Sequence, residues 1–283
     1  MVDSGVLPDG GMGLAVKPEY AFGYQPGVQN YLRLHTVERC ASFLIPYLRP
    51  GMSLLDAGCG PGTITVGLAP IVAPGVLVAV DASAEEVVCA EAAARAAGLD
   101  NVRVEVANIL ELPFADDSFD AVFSQAVLDY LVDPVAVVRE LHRVLKPGGV
   151  IGLRSVNSEL AVIGPPDPLV VELFALFRRA VDAMGGSICR GPLLGSMLKQ
   201  VGFEQIFARP SYERARSSKE WQSFCDAFAG VLDGTGIANI ALREGWVDEH
   251  RLAEIIAAAR EFGTDSSNCM ALAWVEAVAH KPG

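Results

Sequence analysis

Residues 54–65 read Leu-Leu-Asp-Ala-Gly-Cys-Gly-Pro-Gly-Thr-Ile-Thr, and this stretch indicates the fold. A mostly apolar run at 52–55 leads into Asp56, and three glycines then alternate with other residues before a helix-forming segment begins. Glycines at a strand-to-helix turn allow positive φ angles and let a ligand approach the backbone without meeting a Cβ atom. The pattern therefore predicts a nucleotide-like ligand lying across the first turn between strand and helix.

The spacing of these glycines distinguishes between classes of nucleotide cofactor. Gly58, Gly60 and Gly62 form a Gly-x-Gly-x-Gly pattern, and Thr63 stands where a dinucleotide fingerprint has its third glycine. The pyrophosphate of NAD and FAD uses the Gly-x-Gly-x-x-Gly form. The spacing therefore favours another cofactor, and an NAD-dependent dehydrogenase is an alternative that binding of the nicotinamide cofactor would reveal.

Three further apolar runs are each followed by polar or small residues. Asp81 follows the run at 76–80, residues 107–109 follow the run at 102–106, and residues 124–126 follow the run at 120–123. The carboxyl ends of parallel strands line one crevice, where ligands bind in open α/β sheets. An ionised carboxylate accepts hydrogen bonds from both hydroxyls of a ribose, so we expect Asp81 to hold a ribose.

Four segments occur together in the order typical of one enzyme family. They are 56–62 (Asp-Ala-Gly-Cys-Gly-Pro-Gly), 80–83 (Val-Asp-Ala-Ser), 112–120 (Leu-Pro-Phe-Ala-Asp-Asp-Ser-Phe-Asp) and 145–149 (Leu-Lys-Pro-Gly-Gly). With these segments the chain resembles the class I S-adenosylmethionine-dependent methyltransferases, and it is most similar to the branch typified by the quinone-biosynthesis C-methyltransferases. The resemblance implies an α/β fold with a doubly wound Rossmann-like sheet, mostly parallel with an antiparallel last strand, plus an N-terminal helical arm and helical cap insertions.

The resemblance also implies S-adenosyl-L-methionine as the cofactor and assigns residues to it. Gly58 and Gly60 pass beneath the methionine part in the family, Asp81 holds the ribose, and residues 107–109 surround the adenine. Where the family usually has an acidic residue, this chain has Asn108, whose carbonyl oxygen can accept from the adenine amino group. The expected cofactor-binding residues are Tyr24, Asp56, Gly58, Gly60, Asp81, Ala82, Asn108, Ile109 and Gln125.

Three of these assignments have reasons of their own. Tyr24 lies in the arm that folds over the cofactor in the family, and the face of an aromatic ring attracts a sulfonium. Asp56 is suited both to contact the cofactor and to cap the following helix, and the two roles are compatible. Gln125 follows the fourth strand and is expected to face the crevice between cofactor and acceptor.

Composition restricts the partners of this chain. Its 22 Lys and Arg against 34 Asp and Glu give a formal net charge of −12 at pH 7, which argues against nucleic acid. No apolar run is long enough to span a bilayer, and the first residues do not resemble a secretion signal. The six cysteines are scattered and indicate reduced thiols in a cytoplasm, and neither cysteines nor histidines show metal-ligand spacing. We therefore expect a cytoplasmic protein with no metal, a small-molecule partner and no membrane partner; its arm could exchange within a homodimer.

The pattern of helices, strands and breaks divides the chain into a core with additions. The predicted parts are an N-terminal arm and helices at 1–49, an S-adenosylmethionine-binding core at 50–156, a first cap insertion at 157–190, core at 191–210, a second helical cap insertion at 211–265 and a C-terminal core strand at 266–283. Residues 28–47 are predicted to form a helix. Ser83 and Glu86 are predicted to form a capping box at the start of a helix over 84–97.

The expected reaction is methyl transfer to a small, largely hydrophobic or aromatic metabolite, as in secondary metabolite biosynthesis. The two insertions are rich in aromatic residues and would close an apolar pocket over the crevice. Methylation at O, N or C stays open, and no residue is singled out as catalytic. Candidate bases are His35, Asp129, Tyr130 and Glu172. The alternative is a protein of the same fold that binds the cofactor while catalysing a cyclisation or rearrangement, or that only senses it.

Overall fold

The computed structural model describes residues 26–283, and side chains from residue 29 onwards. Within this range two short helices precede an alternation of strands and helices, after which the cap helices interrupt the sheet. The helices are α1 (Pro26–Leu32), α2 (Val37–Cys40), α3 (Thr65–Val72), α4 (Ala84–Ala96), α5 (Pro134–Val144), α6 (Pro168–Ala183), α7 (Leu194–Val201), α8 (Ser218–Val231), α9 (Gly236–Arg243) and α10 (Glu249–Thr264). The strands are β1 (Leu54–Ala57), β2 (Leu77–Asp81), β3 (Val102–Val106), β4 (Phe119–Gln125), β5 (Leu145–Val156), β6 (Val162–Gly164), β7 (Glu204–Arg214) and β8 (Cys269–His280).

The eight strands of the described range form one sheet with the order β3-β2-β1-β4-β5-β8, and both β6 and β7 pair with β8. The neighbouring strands β3, β2, β1, β4 and β5 are parallel to one another. Strand β8 runs antiparallel to β5, β6 and β7. Crossover helices cover both faces, which explains why β1 and β2 are buried over nearly their whole length. The predicted fold class, with its antiparallel last strand, is confirmed. Because β1 to β4 are parallel, their carboxyl ends lie along one edge of the sheet.

The start of α4 forms only half of the predicted capping box. Ser83 Oγ accepts a hydrogen bond from the Glu86 backbone N–H at 3.2 Å, as a helix N-cap does. The reciprocal bond is absent, because the Ser83 N–H donates to Asp81 Oδ1 at 2.9 Å. Glu86 Oε1 instead accepts from Gln29 Nε2 at 3.1 Å. Ser83 therefore caps α4 as expected, and its N–H also links the helix to Asp81 at the end of β2.

The prediction of a continuous helix over 28–47 was wrong. The segment forms α1 and α2 separated by a turn at 33–36, and then a short 3₁₀ helix, Ile45–Tyr47. The turn brings His35 Nε2 within 3.1 Å of Glu213 Oε1 in the middle of the protein. Tertiary contacts of a buried polar residue outweigh a helical sequence pattern at this point.

The cap has an apolar core of its own. Helices α1, α6, α8, α9 and α10 pack together over the outer end of β8 and bury most of the aromatic residues that the insertions contribute. Phe224 packs edge-on against Tyr31 with ring centroids 5.4 Å apart, and Phe228 lies 5.0 Å from Phe224. No helix between residues 26 and 283 combines the length and the apolar character needed to cross a membrane.

A buried polar cluster joins the cap to the core, and Arg154 of β5 is at its centre. Its guanidinium lies 3.7 Å from Glu213 of β7 and 3.8 Å from Glu276 of β8, and it donates to Gln125 Oε1 of β4 at 3.2 Å. The same guanidinium stacks 3.9 Å from the centroid of the Trp274 ring. One cation thus connects four strands.

The electrostatics of the cluster show that its charges are paired. Burial alone raises the pKa of Glu213, but the neighbouring His35 and Arg154 outweigh it and lower that pKa to about 2. Two buried carboxylates without a cation would be far more costly than the paired arrangement. The cluster therefore makes the position of the α1–α2 turn dependent on Arg154.

Replacing Arg154 with Met tests this dependence. We expect R154M to lower the free energy of unfolding by about 3–5 kcal/mol, because Glu213 and Glu276 lose their shared buried cation. Urea denaturation measures the change. The control is R243M, which removes an ion pair with Glu244 that is largely exposed, with 71% of the Arg243 side chain accessible. The control should change stability by no more than about 1 kcal/mol, and equal effects of both variants would contradict this role of the cluster.

Candidate functional site

The loop after β1 is fixed to the end of β2 by backbone hydrogen bonds. The Gly58 and Cys59 N–H groups donate to the Val80 carbonyl oxygen at 2.8 and 3.0 Å. The Gly60 N–H donates to Asp81 Oδ2 at 2.9 Å. The glycine loop of the first strand and the carboxylate of the second strand therefore form one corner, which we call the glycine corner (residues 56–62 with Asp81).

The three glycines of this corner have positive φ angles but different surroundings. A Cβ atom on Gly62 would lie 2.8 Å from the Ala90 Cα atom of α4, and one on Gly58 would lie 2.2 Å from Val127 Cγ2. Both glycines therefore permit close packing. Gly60 has a φ of +51° and nothing within 4 Å of the position of an added Cβ. Its backbone is open to an approaching ligand, as the sequence pattern predicted.

Asp81 is held in a fixed orientation. Its Oδ1 accepts from the Ser83 N–H and its Oδ2 from the Gly60 N–H, both at 2.9 Å. A carboxylate oxygen has two lone pairs, so each oxygen can accept a further hydrogen bond from a hydroxyl. Ala82, next to it, is exposed. The side chain predicted to hold a ribose is thus oriented without a ligand.

Two more carboxyl groups make the glycine corner acidic. Asp56 is 2% exposed, and burial with the charge of Asp81 raises its pKa to about 7 although a hydrogen bond from Thr65 lowers it. Burial also raises the pKa of Glu86, and Asp81 adds to that effect. Glu86 Oε2 has no hydrogen-bond partner among the described residues. A cation bound here would be attracted by the Asp81 carboxylate and would favour ionisation of Asp56 and Glu86.

The structure shows what Asp56 does locally and why Glu86 was missed. Asp56 Oδ2 accepts from the Thr65 hydroxyl at 2.6 Å, so it holds the first residue of α3 by a side-chain bond and not by capping a backbone N–H. Glu86 had been assigned to a capping box by its spacing from Ser83. Its side chain faces the corner instead, and its position in the first turn of α4, beside the end of β2, is the signal that could have found it.

The residues predicted around an adenine follow β3 and lie beside Asp81. The Ala107 N–H donates to the Asp81 main-chain oxygen at 2.9 Å. Asn108 is exposed, and its Oδ1 accepts from the Leu110 N–H at 3.1 Å, so its amide oxygen closes its own turn. Ile109 is half-buried against the core. These positions border the glycine corner, as expected from the order of the strands.

Gln125 is placed differently from the expectation, and Tyr24 lies outside the described residues. Only 9% of Gln125 is exposed; its Nε2 lies 3.3 Å from His35 Nδ1, and its Oε1 accepts from Arg154. Its amide is therefore part of the buried polar cluster. The next residue, Ala126, has a φ of +54° and lies at the edge of a cavity.

That cavity lies between the sheet and the cap, and we call it the aromatic cavity. It has about 580 Å³ of empty space, including the part open to solvent. Its polar side chains include His35, Asp129, Tyr130 and Ser158. The aromatic rings that line it are Tyr31, Phe174, Phe177, Phe228 and Trp274.

The aromatic cavity adjoins the glycine corner at two places. Val127, which an added Cβ on Gly58 would meet, comes directly after Ala126 of the cavity wall. The Thr63 hydroxyl donates at 3.3 Å to the main-chain oxygen of Leu32, another residue of the wall. Two ligands bound in the corner and in the cavity would therefore lie side by side.

The four candidate bases do not lie at one site. His35, Asp129 and Tyr130 line the aromatic cavity, and Glu172 of α6 does not. Glu172 Oε2 lies 2.6 Å from Arg251 Nη2 of α10 in an ion pair within the cap. Burial raises the pKa of Asp129 to about 7, against hydrogen bonds from Val156 and Ser155 that lower it.

Comparison with known proteins agrees with this geometry. Residues 48–187 match a family model described as a methyltransferase domain. An uncharacterized methyltransferase of Schizosaccharomyces pombe is 35% identical over 53% of this chain, and the match spans 58% of that protein's length. The probable methyltransferase ltbC of Aspergillus luteorubrus is 28% identical over 90% of this chain and 96% of its own. The solved [4+2]-cyclase SpnF shares 26% identity and a TM-score of 0.52, covering 87% of this chain and 79% of its own.

Residues 48–187 thus form a methyltransferase domain, and this match supports the predicted family, the class I S-adenosylmethionine-dependent methyltransferases. The family's cofactor, S-adenosyl-L-methionine, carries a sulfonium, an ammonium and a ribose with two hydroxyls. The glycine corner fits such a molecule, because it offers open backbone at Gly60, a fixed carboxylate at Asp81 and two further acids for the cationic groups.

Two glycine variants separate backbone strain from ligand contact. Gly60 and Gly98 both have positive φ and open space around an added Cβ, but Gly98 lies at the far end of α4. We expect Gly60→Ala and Gly98→Ala to lose a similar stability of about 1–2 kcal/mol. Only Gly60→Ala should weaken the binding of S-adenosylhomocysteine, by roughly tenfold, equivalent to about 1.4 kcal/mol. Titration calorimetry measures the affinity of both variants, and urea denaturation measures their stability. Unchanged affinity of Gly60→Ala would show that no ligand passes over this glycine.

Proposed function

We propose that the protein transfers the methyl group of S-adenosyl-L-methionine to a small, largely hydrophobic or aromatic metabolite bound in the aromatic cavity. The observation that carries this proposal is the adjacency of two different sites. The glycine corner is acidic and suits a cationic nucleoside, whereas the cavity beside it is lined by aromatic rings. A transferase for two substrates needs such a pair, and a cofactor sensor does not.

The cofactor supplies an electrophilic methyl group on a positively charged sulfur, and the chain supplies position. Asp81, held by two backbone N–H groups, would fix the ribose of the cofactor. Gly60 would leave room for its methionine part. Phe174 and Phe228 pack with ring centroids 4.8 Å apart in the cavity wall and would exclude water from the acceptor. Holding two reactants in near-attack geometry is worth roughly 7–11 kcal/mol, so alignment can provide most of the catalysis.

The cap is part of the same proposal. We propose that the segments 157–190 and 211–265 act as a lid over the core segments 50–156, 191–210 and 266–283. The rings of Phe174 and Phe177 on α6 and Phe228 on α8 support this, because they reach the cavity from both insertions. In this proposal acceptor selectivity depends on the cap, whereas cofactor binding depends on the glycine corner.

The relatives support methyl transfer over a role limited to binding. The fungal protein named a probable methyltransferase aligns over nearly all of this chain, so its likeness extends through the cap as well as the core. The match to the Schizosaccharomyces pombe relative is restricted to 53% of this chain. A role in secondary metabolism fits a cavity that selects an apolar molecule.

A second candidate is a cyclisation with the cofactor bound but unchanged. The likeness to the [4+2]-cyclase SpnF favours it, since that structure covers 87% of this chain. The aromatic cavity would suit either kind of substrate. The two functions differ in one product, because methyl transfer converts the cofactor into S-adenosylhomocysteine and cyclisation does not.

The deciding experiment incubates the protein with S-adenosyl-L-methionine and a panel of aromatic, polyketide and isoprenoid compounds. We expect one or more compounds to gain a methyl group, with an equal amount of S-adenosylhomocysteine formed, as measured by mass spectrometry. A compound that rearranges without S-adenosylhomocysteine would favour the cyclase. Turnover restricted to highly charged acceptors such as nucleotides would contradict the proposed function.

Filling the aromatic cavity should stop the reaction without affecting the cofactor. Ser158 is half-buried in the cavity wall, and its hydroxyl contacts Cys189 Sγ at 3.2 Å. We expect Ser158→Phe to lower methyl transfer by roughly a hundredfold, because a displaced acceptor loses its alignment. Calorimetry should show an unchanged affinity for S-adenosylhomocysteine. Ser196→Phe, on an exposed position of α7, is the control and should retain activity; parallel losses in both variants would show that the cavity is not the acceptor site.

A further inference from the structure

Asp129 has an unpartnered carboxyl oxygen beside the aromatic cavity. The residue is 1% exposed and belongs to the cavity wall, and its Oδ1 has no hydrogen-bond partner among residues 26–283. A buried acceptor that is left unpaired is costly, so one that persists in a cavity is suited to receive a donor from a ligand.

The side chain is held in place by two different parts of the chain. Asp129 lies in a 3₁₀ turn, Leu128–Tyr130, directly after β4, and its Oδ2 accepts from the Val156 N–H at 3.5 Å. Its main-chain oxygen accepts from the Ser187 N–H at 2.7 Å. Arg190 fixes the same turn by donating from Nη1 to the Leu128 oxygen at 2.8 Å. Asp129 thus sits on a rigid turn at the carboxyl edge of the sheet.

Two other polar side chains of the cavity, His35 and Ser158, have close polar neighbours, and the unpartnered Trp274 Nε1–H is a donor that cannot take up a proton. His35 has Gln125 Nε2 3.3 Å from its Nδ1 and Glu213 Oε1 3.1 Å from its Nε2, so both ring nitrogens have neighbours within hydrogen-bond distance. The Ser158 hydroxyl contacts Cys189 Sγ at 3.2 Å. His35 therefore belongs to the buried cluster, although its Nε2 meets Glu213 as an ion-pair contact and not as an aligned hydrogen bond.

We propose that the acceptor carries a phenolic or enolic hydroxyl that donates to Asp129 Oδ1, and that Asp129 takes up its proton during methyl transfer. The inference rests on the proposed function and specifies its substrate class as an O-methyl acceptor. In the step, the O–H bond breaks and its proton passes to Asp129, while an oxygen lone pair forms the new O–CH₃ bond. The S–CH₃ bond breaks with its electron pair remaining on sulfur, which leaves as a neutral thioether.

The need for a base favours oxygen over nitrogen as the acceptor atom. A neutral amine already has a free lone pair and needs no base to attack a methyl group. A hydroxyl becomes strongly nucleophilic only as it loses its proton, so a nearby carboxylate has the greatest effect on it. A general base works best when its pKa lies near the working pH, and burial raises the pKa of Asp129 to about 7.

The direction of the pH dependence follows from that carboxyl. Below about pH 7 Asp129 holds its own proton and its unpartnered oxygen is not a carboxylate; as the pH rises through about 7 it becomes a charged acceptor. Arg190 faces it from the segment after α6 and opposes the shift, and Asp133 and Asp182 act on Arg190 in turn. The titratable groups that face the cavity with it are Tyr31 of α1, His35 of the α1–α2 turn and Tyr130 of its own turn.

The test compares two probes that differ in one donor, 1-naphthol and 1-methoxynaphthalene, on the protein saturated with S-adenosylhomocysteine. We expect the wild type to bind 1-naphthol about tenfold more tightly than the ether, as a hydrogen bond to a charged group provides. This preference should grow as the pH is raised from about 6 to about 8, on both sides of the Asp129 pKa. Fluorescence titration measures both affinities.

Asp129→Asn keeps the shape of the side chain and removes its charge at every pH. We expect it to lose about tenfold in affinity for 1-naphthol, to bind the ether as before and to show no pH-dependent preference. Asp182→Asn is the matched control, because this exposed carboxylate of α6 also acts on Arg190 and does not line the cavity. Unchanged affinity of all three proteins for S-adenosylhomocysteine shows that the variants are folded.

Three outcomes of the binding experiment would overturn the inference. They are equal binding of the two probes by the wild type, a pH-dependent preference that survives in Asp129→Asn, and binding of neither probe. Methyl transfer to nitrogen or carbon acceptors with no activity on hydroxyl compounds would also refute it, although the proposed function would stand. Absence of S-adenosylhomocysteine binding in the wild type would instead refute the proposed function.

Discussion

The hydrogen bond from the Gly60 N–H to the Asp81 carboxylate is the contact on which the site depends. It joins the loop of the first strand to the end of the second at 2.9 Å, and the Ser83 N–H fixes the other carboxylate oxygen. The chain thereby places a charged acceptor and an open stretch of backbone at one corner without a ligand. Glycine is needed at Gly58 because Val127 lies against it, and this packing sets the distance between the corner and the aromatic cavity.

The second constraint is the buried cation under the cap. Arg154 pairs with carboxylates of two strands and donates to Gln125, and Gln125 in turn contacts His35. These contacts decide where the chain turns between α1 and α2, and so where α1 can pack on the cap helices. The cap and the sheet are therefore joined by charge as well as by apolar packing, and the cavity lies between them. In the proposed function, cofactor binding and acceptor binding consequently depend on different parts of the structure.

Much of the core could be predicted from local sequence. Strands with apolar runs, glycines at a turn and an Asp at a strand end have short-range signals, and the strands and the glycine turn lie where they were expected. The helix predicted over 28–47 failed because His35 makes a contact with Glu213, far away in the sequence. Gln125 was expected to face the crevice. The two-residue period of a strand does not reveal that His35 and Arg154 lie beside its amide. Whether Gln125, Tyr24 or Asn108 binds the cofactor stays a prediction.

Residues with unusual surroundings were the hardest to recognise. Glu86 matched a capping box by spacing, and only the structure shows that it is buried near Asp81, where burial and the Asp81 charge raise its pKa. Asp129 was one of four candidate bases, and the sequence favoured His35 by residue type and not Asp129. Its burial and its unpartnered oxygen, which depend on the turn after β4 and on the segment before α7, distinguish it from Glu172 in the cap. Such features arise from the assembled fold and have no counterpart in residue spacing.

Calorimetric titration with S-adenosylhomocysteine tests the central claim most directly, using the wild type, Asp81→Asn and Asp100→Asn. Asp100 is an exposed carboxylate before β3, at the opposite edge of the sheet, and serves as the matched control. The account predicts binding to the wild type and to the control, and a loss of roughly tenfold to a hundredfold in Asp81→Asn, because charged hydrogen bonds to the ribose are weakened. Equal affinity of all three proteins, or no binding by the wild type, would contradict it.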